Sequence, residues 1–243
     1  MRLSAFSQRV AKELLRDPLN LAFAFGFPLV LLLLLSAIQA NIPVSLFEIS
    51  HLAPGIAVFG LSFLTLFSAT LISKDRTSAF HARLYTTPMR AHEFILGYTL
   101  PLLPLALMQG AACYALALCL GLEFSLGLAC ALPALLPVSL LYVALGLFFG
   151  SLLNDRQVGG VCGALLTNLS AWLSGIWFDL SLVGGTFQKI ADLLPFSHAV
   201  ELSRAALKCD LAAALPHLFW VLGYALVLLS LAVFAFLRQM RRN

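Results

Sequence analysis

The sequence predicts an all-α integral membrane protein: six transmembrane helices, an amino-terminal amphipathic surface helix, and short re-entrant helices between the fifth and sixth spans. Three observations predict it. The chain is 61% hydrophobic and only 11% charged, with a mean hydropathy of +0.96. A soluble domain carries about 25% charged residues, and a chain with less than half of that cannot cover its surface with groups that water accepts. Second, the charges fall in short clusters separated by long apolar runs, and six of these runs reach the ~20 residues needed to cross ~30 Å of hydrocarbon. Third, the basic residues segregate to one side of the arrangement those runs impose. A single membrane domain over residues 1–243, with no soluble domain, is the expectation.

The six runs are Leu19–Gln39, Leu52–Ser73, Phe94–Leu120, Phe124–Leu153, Gln157–Phe178 and Pro216–Leu237. The first has no A-x-A-like site after it, so it reads as a span and not as a cleaved signal. Pro101, Pro104, Pro133 and Pro137 lie inside the third and fourth, where membrane helices tolerate proline as a kink. Gly121 and Glu123 leave room only for a tight turn, which makes those two helices antiparallel neighbours. An even number of spans puts both termini on one side. Of the 15 Lys and Arg residues, 12 fall on that side and three (Lys189, Arg204, Lys208) on the other. The positive-inside rule makes the first side cytoplasmic.

Three segments do something other than span. In residues 1–18, Leu3, Phe6, Val10 and Leu14 fall within ~80° of one another on a helical wheel, and Arg2, Arg9, Lys12 and Arg16 take the opposite face. That is the pattern of an interfacial helix with its apolar side in the acyl boundary, and Asp17-Pro18 supplies a break before the first span. Residues 74–93 read KDRTSAFHARLYTTPMRAHE, longer than two antiparallel helices need for a turn. Phe80, Arg83, Leu84 and Thr87 recur at helical spacing until Pro88 stops them, giving a mixed apolar and charged face suited to docking another protein; a solvated charged loop is the alternative. In residues 179–215, Phe187, Ile190, Ala191 and Leu194 form an i, i+3, i+4, i+7 stripe after Gly184-Gly185. Ser197 then serves as an N-cap for a second helix to about Lys208. A re-entrant helix pair and a small external cap both fit.

Several chemistries are excluded. No lysine follows a glycine, so the phosphate loop G-x-x-x-x-G-K-[ST] of an ATPase is missing. Every Asp, Glu, Lys, Arg and His lies in a loop or near a helix end, which disfavours proton or sodium coupling at mid-membrane depth. The deeper polar residues are neutral: Ser62, Thr65, Ser68, Gln109 and Asn168. Helix–helix hydrogen bonding is their simplest role. Ser170 or Ser174 with His198 or His217 could be imagined as a nucleophile and base, but neither serine has the G-x-S spacing, and there is no H-E-x-x-H. Cys113, Cys119, Cys130, Cys162 and Cys209 form no C-x-x-C pair and mostly sit in apolar runs, so they read as small packing residues.

Four stretches in chain order resemble the ABC-2 family of transport permeases. They are Arg16-Asp17-Pro18 leading to Phe27-Pro28; Leu52-Ala53-Pro54-Gly55-Ile56; Lys74-Asp75-Arg76 through Arg83-Leu84-Tyr85-Thr86-Thr87-Pro88-Met89-Arg90 to Leu96-Gly97; and Trp172-Leu173-Ser174-Gly175-Ile176 followed by Leu194-Pro195-Phe196-Ser197-His198 and Arg204. The chain departs from the family at Thr77-Ser78-Ala79-Phe80, where an acidic residue and Gly-Thr are usual, and at Tyr98, where a basic residue is usual.

The resemblance implies an exporter permease in the bacterial cytoplasmic (inner) membrane, working as a dimer with a second copy. Its ATPase is a separate cytoplasmic ABC subunit that holds the ATP and Mg. This chain binds no cofactor, carries no catalytic residue and engages no nucleic acid. Residues 74–93 become the coupling segment, with Lys74, Asp75, Arg76, Phe80, Arg83, Leu84, Pro88, Arg90 and Glu93 toward the ATPase. Ser62, Thr65, Asn168 and Trp172 are the expected pathway residues. A membrane scaffold that only recruits a cytoplasmic protein, and an ion-coupled secondary transporter, are the alternatives.

Overall fold

The computed structural model describes residues 2–42, 47–77 and 91–240, and their regular structure is helical throughout. A short helix α1 (Arg2–Leu15) precedes α2 (Pro18–Gln39). Next come α3 (Ile49–Leu61) and α4 (Phe63–Thr77), then α5 (Ala91–Cys119) and α6 (Gly127–Leu152), with α7 over residues 155–173. Three short helices follow, α8 (Leu180–Val183), α9 (Gly185–Leu193) and α10 (Pro195–Leu207), before the long α11 (Leu211–Met240).

Among the described residues, five stretches are long and apolar enough to cross a membrane: Pro18–Gln39, Ile49–Arg76, His92–Cys119, Gly127–Leu152 and Leu211–Arg238. They match five of the six expected spans. The expected fifth, Gln157–Phe178, corresponds to α7. It is assembled end to end from Asp155–Val158, a π-helical stretch Gly159–Leu166, and Thr167–Leu173. It stops short of Phe178 because the chain turns at Gly175, whose φ of +72° suits glycine. Asp155, Arg156 and Gln157 at its start dilute its apolar character. The described residues therefore hold five candidate spans, and α7 is a shorter, more polar rod.

Burial orders the bundle. The Ile49–Arg76 stretch is 89% buried over its most apolar window, against 22% for both Pro18–Gln39 and Leu211–Arg238. Helices α3 and α4 are thus the axis, while α2 and α11 are peripheral and turn Leu33, Leu34, Phe219 and Phe234 outward. Outward faces of this kind suit hydrocarbon and would be a liability in water.

Helix α4 lies directly on α6. Glycines permit the approach: a Cβ on Gly146 would overlap the Thr65 carbonyl, and one on Gly150 would come within 2.6 Å of Ala69 Cα. The contact is also hydrogen bonded. Thr65 Oγ1 donates to the Tyr142 carbonyl at 3.0 Å, and Ser68 Oγ sits 2.7 Å from the Leu64 carbonyl and 3.2 Å from that of Val143. Without a hydrophobic drive between helices in lipid, small residues and hydroxyls of this kind supply the attraction. Between α3 and α4 the axis breaks at Ser62, where Ser62 N–H donates to the Phe59 carbonyl at 3.0 Å and Thr65 N–H to that of Ser62 at 3.1 Å. These tighter i to i−3 turns mark a local change of winding.

Three sequence expectations change in detail. The apolar side of α1 (Phe6, Val10, Leu14) is buried against the protein instead of facing acyl chains. Phe6 meets the rings of Phe94 and Tyr98 edge to face at 5.7 and 5.0 Å, in a notch that exists because residue 97 is glycine. Ser197 does not cap a helix. Leu194 is the N-cap residue of α10 with Pro195 next, and the Ser197 hydroxyl donates back to the Ala191 carbonyl at 2.8 Å, closing the α9–α10 corner. Of the expected stripe, Ala191 is buried, Phe187 and Leu194 are half-buried, and Ile190 is exposed. The antiparallel α5–α6 pair is as expected. Its turn is closed by Leu122 N–H donating to the Ala117 carbonyl at 2.9 Å.

Gly150→Val should destabilise the solubilised protein by about 1–3 kcal/mol through overpacking, read as a lowered thermal midpoint. Gly223→Ala, at a position with nothing within 4 Å of the new Cβ, should leave it unchanged.

Candidate functional site

The ends of α1, α4, α5, α6 and α7 converge at one end of the bundle, called here the basic end because Arg9, Lys12, Arg16, Lys74, Arg76 and Arg156 belong to it. At its centre is Asp75, in the last turns of α4 and only 4% exposed. A carboxylate removed from water is costly unless its lone pairs are satisfied. Here three donors meet it. Arg9 Nη1 and Nη2 approach Asp75 Oδ2 and Oδ1 at 2.9 and 2.6 Å, and Tyr98 Oη donates to Oδ2 at 2.7 Å. The forked pair fixes orientation as well as distance. The bond to Asp75 raises the Arg9 pKa further, so this cation stays charged. Arg9 also reaches Glu13 at 3.2 Å.

The neighbours of Asp75 point elsewhere. Arg76 Nη1 donates to the Gly150 and Leu153 carbonyls at 2.8 and 3.2 Å, meeting carbonyls that the end of α6 cannot pair internally and opposing the negative end of its dipole. Ser73 Oγ donates to Asp155 Oδ1 at 3.2 Å. Within four residues the end of α4 is thus tied to α1, α5, α6 and α7. Lys74 is exposed and Glu93 is half-buried at the start of α5. Phe80, Arg83, Leu84, Pro88 and Arg90 lie outside the described residues. No group of metal-ligating side chains occurs among the described residues.

The expected pathway residues separate into two sets. Ser62 and Thr65 are buried within the fold, Thr65 bonded to α6 and the Ser62 hydroxyl without a partner among the described residues. Asn168 and Trp172 are exposed on α7, where Asn168 Nδ2 donates to the Ala164 carbonyl at 2.8 Å. Gln109, buried on α5, presents Nε2 to Cys113 Sγ at 3.2 Å and leaves Oε1 unpaired.

A cavity of about 590 Å³ opens at the opposite end, lined by Glu48, His51, Asp179, Glu201, Arg204 and His217 among others. Arg204 is spent on structure. It bonds Glu201 Oε1 at 2.8 Å, the Gly175 carbonyl at 3.1 Å and the His51 carbonyl at 3.4 Å. Asp179 caps α8, and the Ser181 backbone N–H on its carboxylate lowers its pKa. His198 and His217 face each other with Nδ1 atoms 2.8 Å apart, and His198 Nε2 is 2.8 Å from the Asp192 carbonyl. A carbonyl only accepts, so Nε2 of His198 carries a proton, its Nδ1 accepts, and His217 Nδ1 donates. The serine–histidine pairing considered from sequence is not assembled: Ser170 pairs with the Tyr142 hydroxyl, and Ser174 donates to the Ala171 carbonyl at 3.0 Å.

The sequence reading assigns Asp75 and Arg76 to the expected coupling segment and does not anticipate their partners. In it Arg9 stands on the basic face of an interfacial helix and Tyr98 as a departure from the family pattern. A carboxylate one turn from the end of an apolar span, with an Arg on a preceding amphipathic helix, was the available signal.

A bundle with five membrane-length apolar helices among the described residues, and a charged, cross-tied end, defines a multi-pass membrane protein. The sequence model described as ABC-2 type transporter matches residues 1–208. The chain belongs to the ABC-2 type transporter family, whose members are the membrane component of transporters driven by an ABC ATPase. Comparison with curated proteins gives no match.

Asp75→Ala should cost about 1–3 kcal/mol of stability, since the lost bonds are charge-assisted ones. Tyr98→Phe should cost less, and an Arg9→Ala/Asp75→Ala cycle should show coupling between the two sites. Thermal midpoints of the purified variants test this.

At the other end, His217→Ala should lower hydrogen-exchange protection over residues 192–217 by about fivefold, the loss of one ordinary hydrogen bond, and His217→Gln, whose amide can still donate to His198 Nδ1, should lower it less.

Proposed function

We propose that this chain is the permease subunit of an ATP-driven exporter, with the basic end in the cytoplasm and a second copy completing the translocation pathway. The observation that carries the proposal is the anchored carboxylate Asp75. It sits, with Arg76, just before the 78–90 segment, and the two tie that segment's base to α1, α5 and α6, while Ser73 on the same turn reaches α7. A lever needs such a base. The ATPase subunit, with its own ATP and Mg, seats against residues 74–93. Phe80, Arg83, Leu84, Pro88 and Arg90 make the contact, and Lys74, Asp75, Arg76 and Glu93 carry the motion into the bundle. Twelve basic residues on this side support its cytoplasmic placement.

The same reading makes α7 the sixth span, α1 a surface helix flanking the ATPase contact, and α9–α10 a re-entrant pair. Its support for α10 is that Phe196, Ala199, Val200 and Leu202 are buried among α3, α6 and α11. Asn168 and Trp172 on the exposed face of α7 are open to a second copy. Ser62 lies at the break of the axial helix, where rocking of α4 against α3 would uncover it together with Thr65. The chain contributes shape and coupling, and the chemistry of hydrolysis stays with the partner.

The test is affinity purification of the tagged chain in mild detergent. Wild type should bring down a stoichiometric ATPase, and Arg83→Glu/Arg90→Glu should lose it while keeping the wild-type elution volume and thermal midpoint. Failure to recover an ATPase in any mild condition would overturn the coupling role and favour a scaffold or an ion-coupled carrier.

A further inference from the structure

Two cysteines at the end opposite Asp75 stand apart from the other three. Cys130 lies in the first turn of α6, and Cys209 is in the three-residue corner between α10 and α11. Their Sγ atoms are 3.7 Å apart although 79 residues separate them in sequence. The backbones are in contact too, for a Cβ on Gly127 would fall on the Leu207 carbonyl. The corner is closed on both sides. Cys209 N–H donates to the Ala206 carbonyl and Asp210 N–H to the Ala205 carbonyl, each at 3.0 Å, while Asp210 Oδ1 caps α11 through Ala213 N–H at 3.0 Å.

A second observation is independent of that proximity. Cys209 has φ +57°, the only left-handed backbone outside glycine among the described residues. The closing turn of a helix strongly prefers glycine at this position, and an L side chain there is strained. Cysteine is a poor choice for packing at an exposed corner, so its thiol is the property that distinguishes it.

We propose that Cys130 and Cys209 form a reversible disulfide on the outer face of the membrane, stapling the start of α6 to the α10–α11 corner. The location rests on the orientation proposed above, which puts this end in the compartment where disulfides persist. The sulfurs must close from 3.7 Å to about 2.0 Å. The oxidant is a small or protein disulfide, RSSR. One cysteine thiolate attacks it, forming a mixed disulfide and expelling RS⁻. The second thiolate then attacks the cysteine sulfur of the mixed disulfide and expels the other RS⁻. Two S–H bonds are lost, one S–S bond forms, and RSSR takes up two electrons and the two protons as two RSH. Because α10 and α11 carry Arg204 and His217, which line the 590 Å³ cavity, the staple fixes one wall of that cavity in the oxidised form and releases it in the reduced form. The Cys209 thiol, donating to Cys130 sulfur, is held above the usual thiol range, so exchange should run faster at pH 9 than at pH 7.

The experiment is alkylation and peptide mapping of the full chain in membranes, after oxidised glutathione or after a phosphine reductant. A Cys130–Cys209 linked peptide after oxidation, and five alkylated cysteines after reduction, is the expected result. The thermal midpoint should rise on oxidation in wild type. Cys209→Gly should lose that response while its own midpoint is at least that of the reduced wild type. In Cys130→Ser, a membrane-impermeant maleimide applied from the outer face should label Cys209. Five alkylated cysteines after oxidised glutathione, or a link through Cys119 instead, overturns the disulfide. A Cys130–Cys209 link formed in detergent, with no labelling from the outer face, overturns the location and the orientation of the chain together.

Discussion

Burying Asp75 constrains everything around it. A carboxylate in a nearly closed site must find donors or give up its charge, and the end of α4 cannot supply them, since its backbone N–H groups are committed to the helix. The donors therefore come from elsewhere, Arg9 on α1 and Tyr98 on α5. That requirement decides where α1 goes. Once Arg9 is forked onto Asp75, Phe6 lies one turn back on the same helix and drops into the notch at Gly97, edge-on to Phe94 and Tyr98. Charge and packing then select one placement, and α1 becomes a strut of the bundle instead of a float on the membrane.

This explains which parts of the fold were legible in the sequence. The long apolar runs that became α2, α3–α4, α5, α6 and α11 were visible because span length and hydropathy are local properties. The turn at Gly121–Glu123 and the break at Asp17-Pro18 were visible for the same reason. Pairings were not. Nothing local says that Arg9 belongs to Asp75 across 66 positions, or that Gly146 and Gly150 exist to admit Thr65 and Ala69. Ser197 resembled a cap because caps are recognised by residue type, whereas its hydroxyl is used to close a corner with Ala191, a relation that only the packed α9–α10 pair creates. The run expected as the fifth span was the hardest. Its hydropathy is diluted by Asp155, Arg156 and Gln157, and Gly175 ends α7 before the expected boundary. The closeness of Cys130 and Cys209 was hidden on similar grounds: spacing along the chain is uninformative when two residues are brought together by two helix ends meeting.

The two ends of the bundle use the same physics for opposite purposes. At the basic end, hydrogen bonds from charged and polar side chains join α4 to α1, α5, α6 and α7. At the other end Arg204 plays the cross-linking part, tying the entrance of α3 through the His51 carbonyl and the exit of α7 through Gly175 to α10. Around it, however, the groups are titratable or oxidisable: the His198–His217 pair and the Cys130–Cys209 pair both bridge α10 or its corner to a neighbouring helix. Permanent bonds hold the floor of the cavity, and conditional ones hold its walls.

The axial helix lies between these ends, and its break at Ser62 gives the arrangement a place to bend. Below the break, α4 is bound to α6 by Thr65, Ser68, Gly146 and Gly150, so those two helices move as one body. Above it, α3 packs on α5 and α10, with Gly55 against Ile176. The residues nearest the break are also the ones left unsatisfied, since Ser62 Oγ and Gln109 Oε1 lack partners in this conformation. Gly60, beside the break, already accommodates the Gln109 side chain, and a Cβ there would overlap it. A buried hydroxyl and amide oxygen without donors carry a desolvation cost. A conformation that turns α4–α6 relative to α3 and wets or pairs those two groups would recover it. The unpaired groups therefore lie where the axial helix is already interrupted, and in the function proposed above motion at that place links Asp75 to the cavity at the far end.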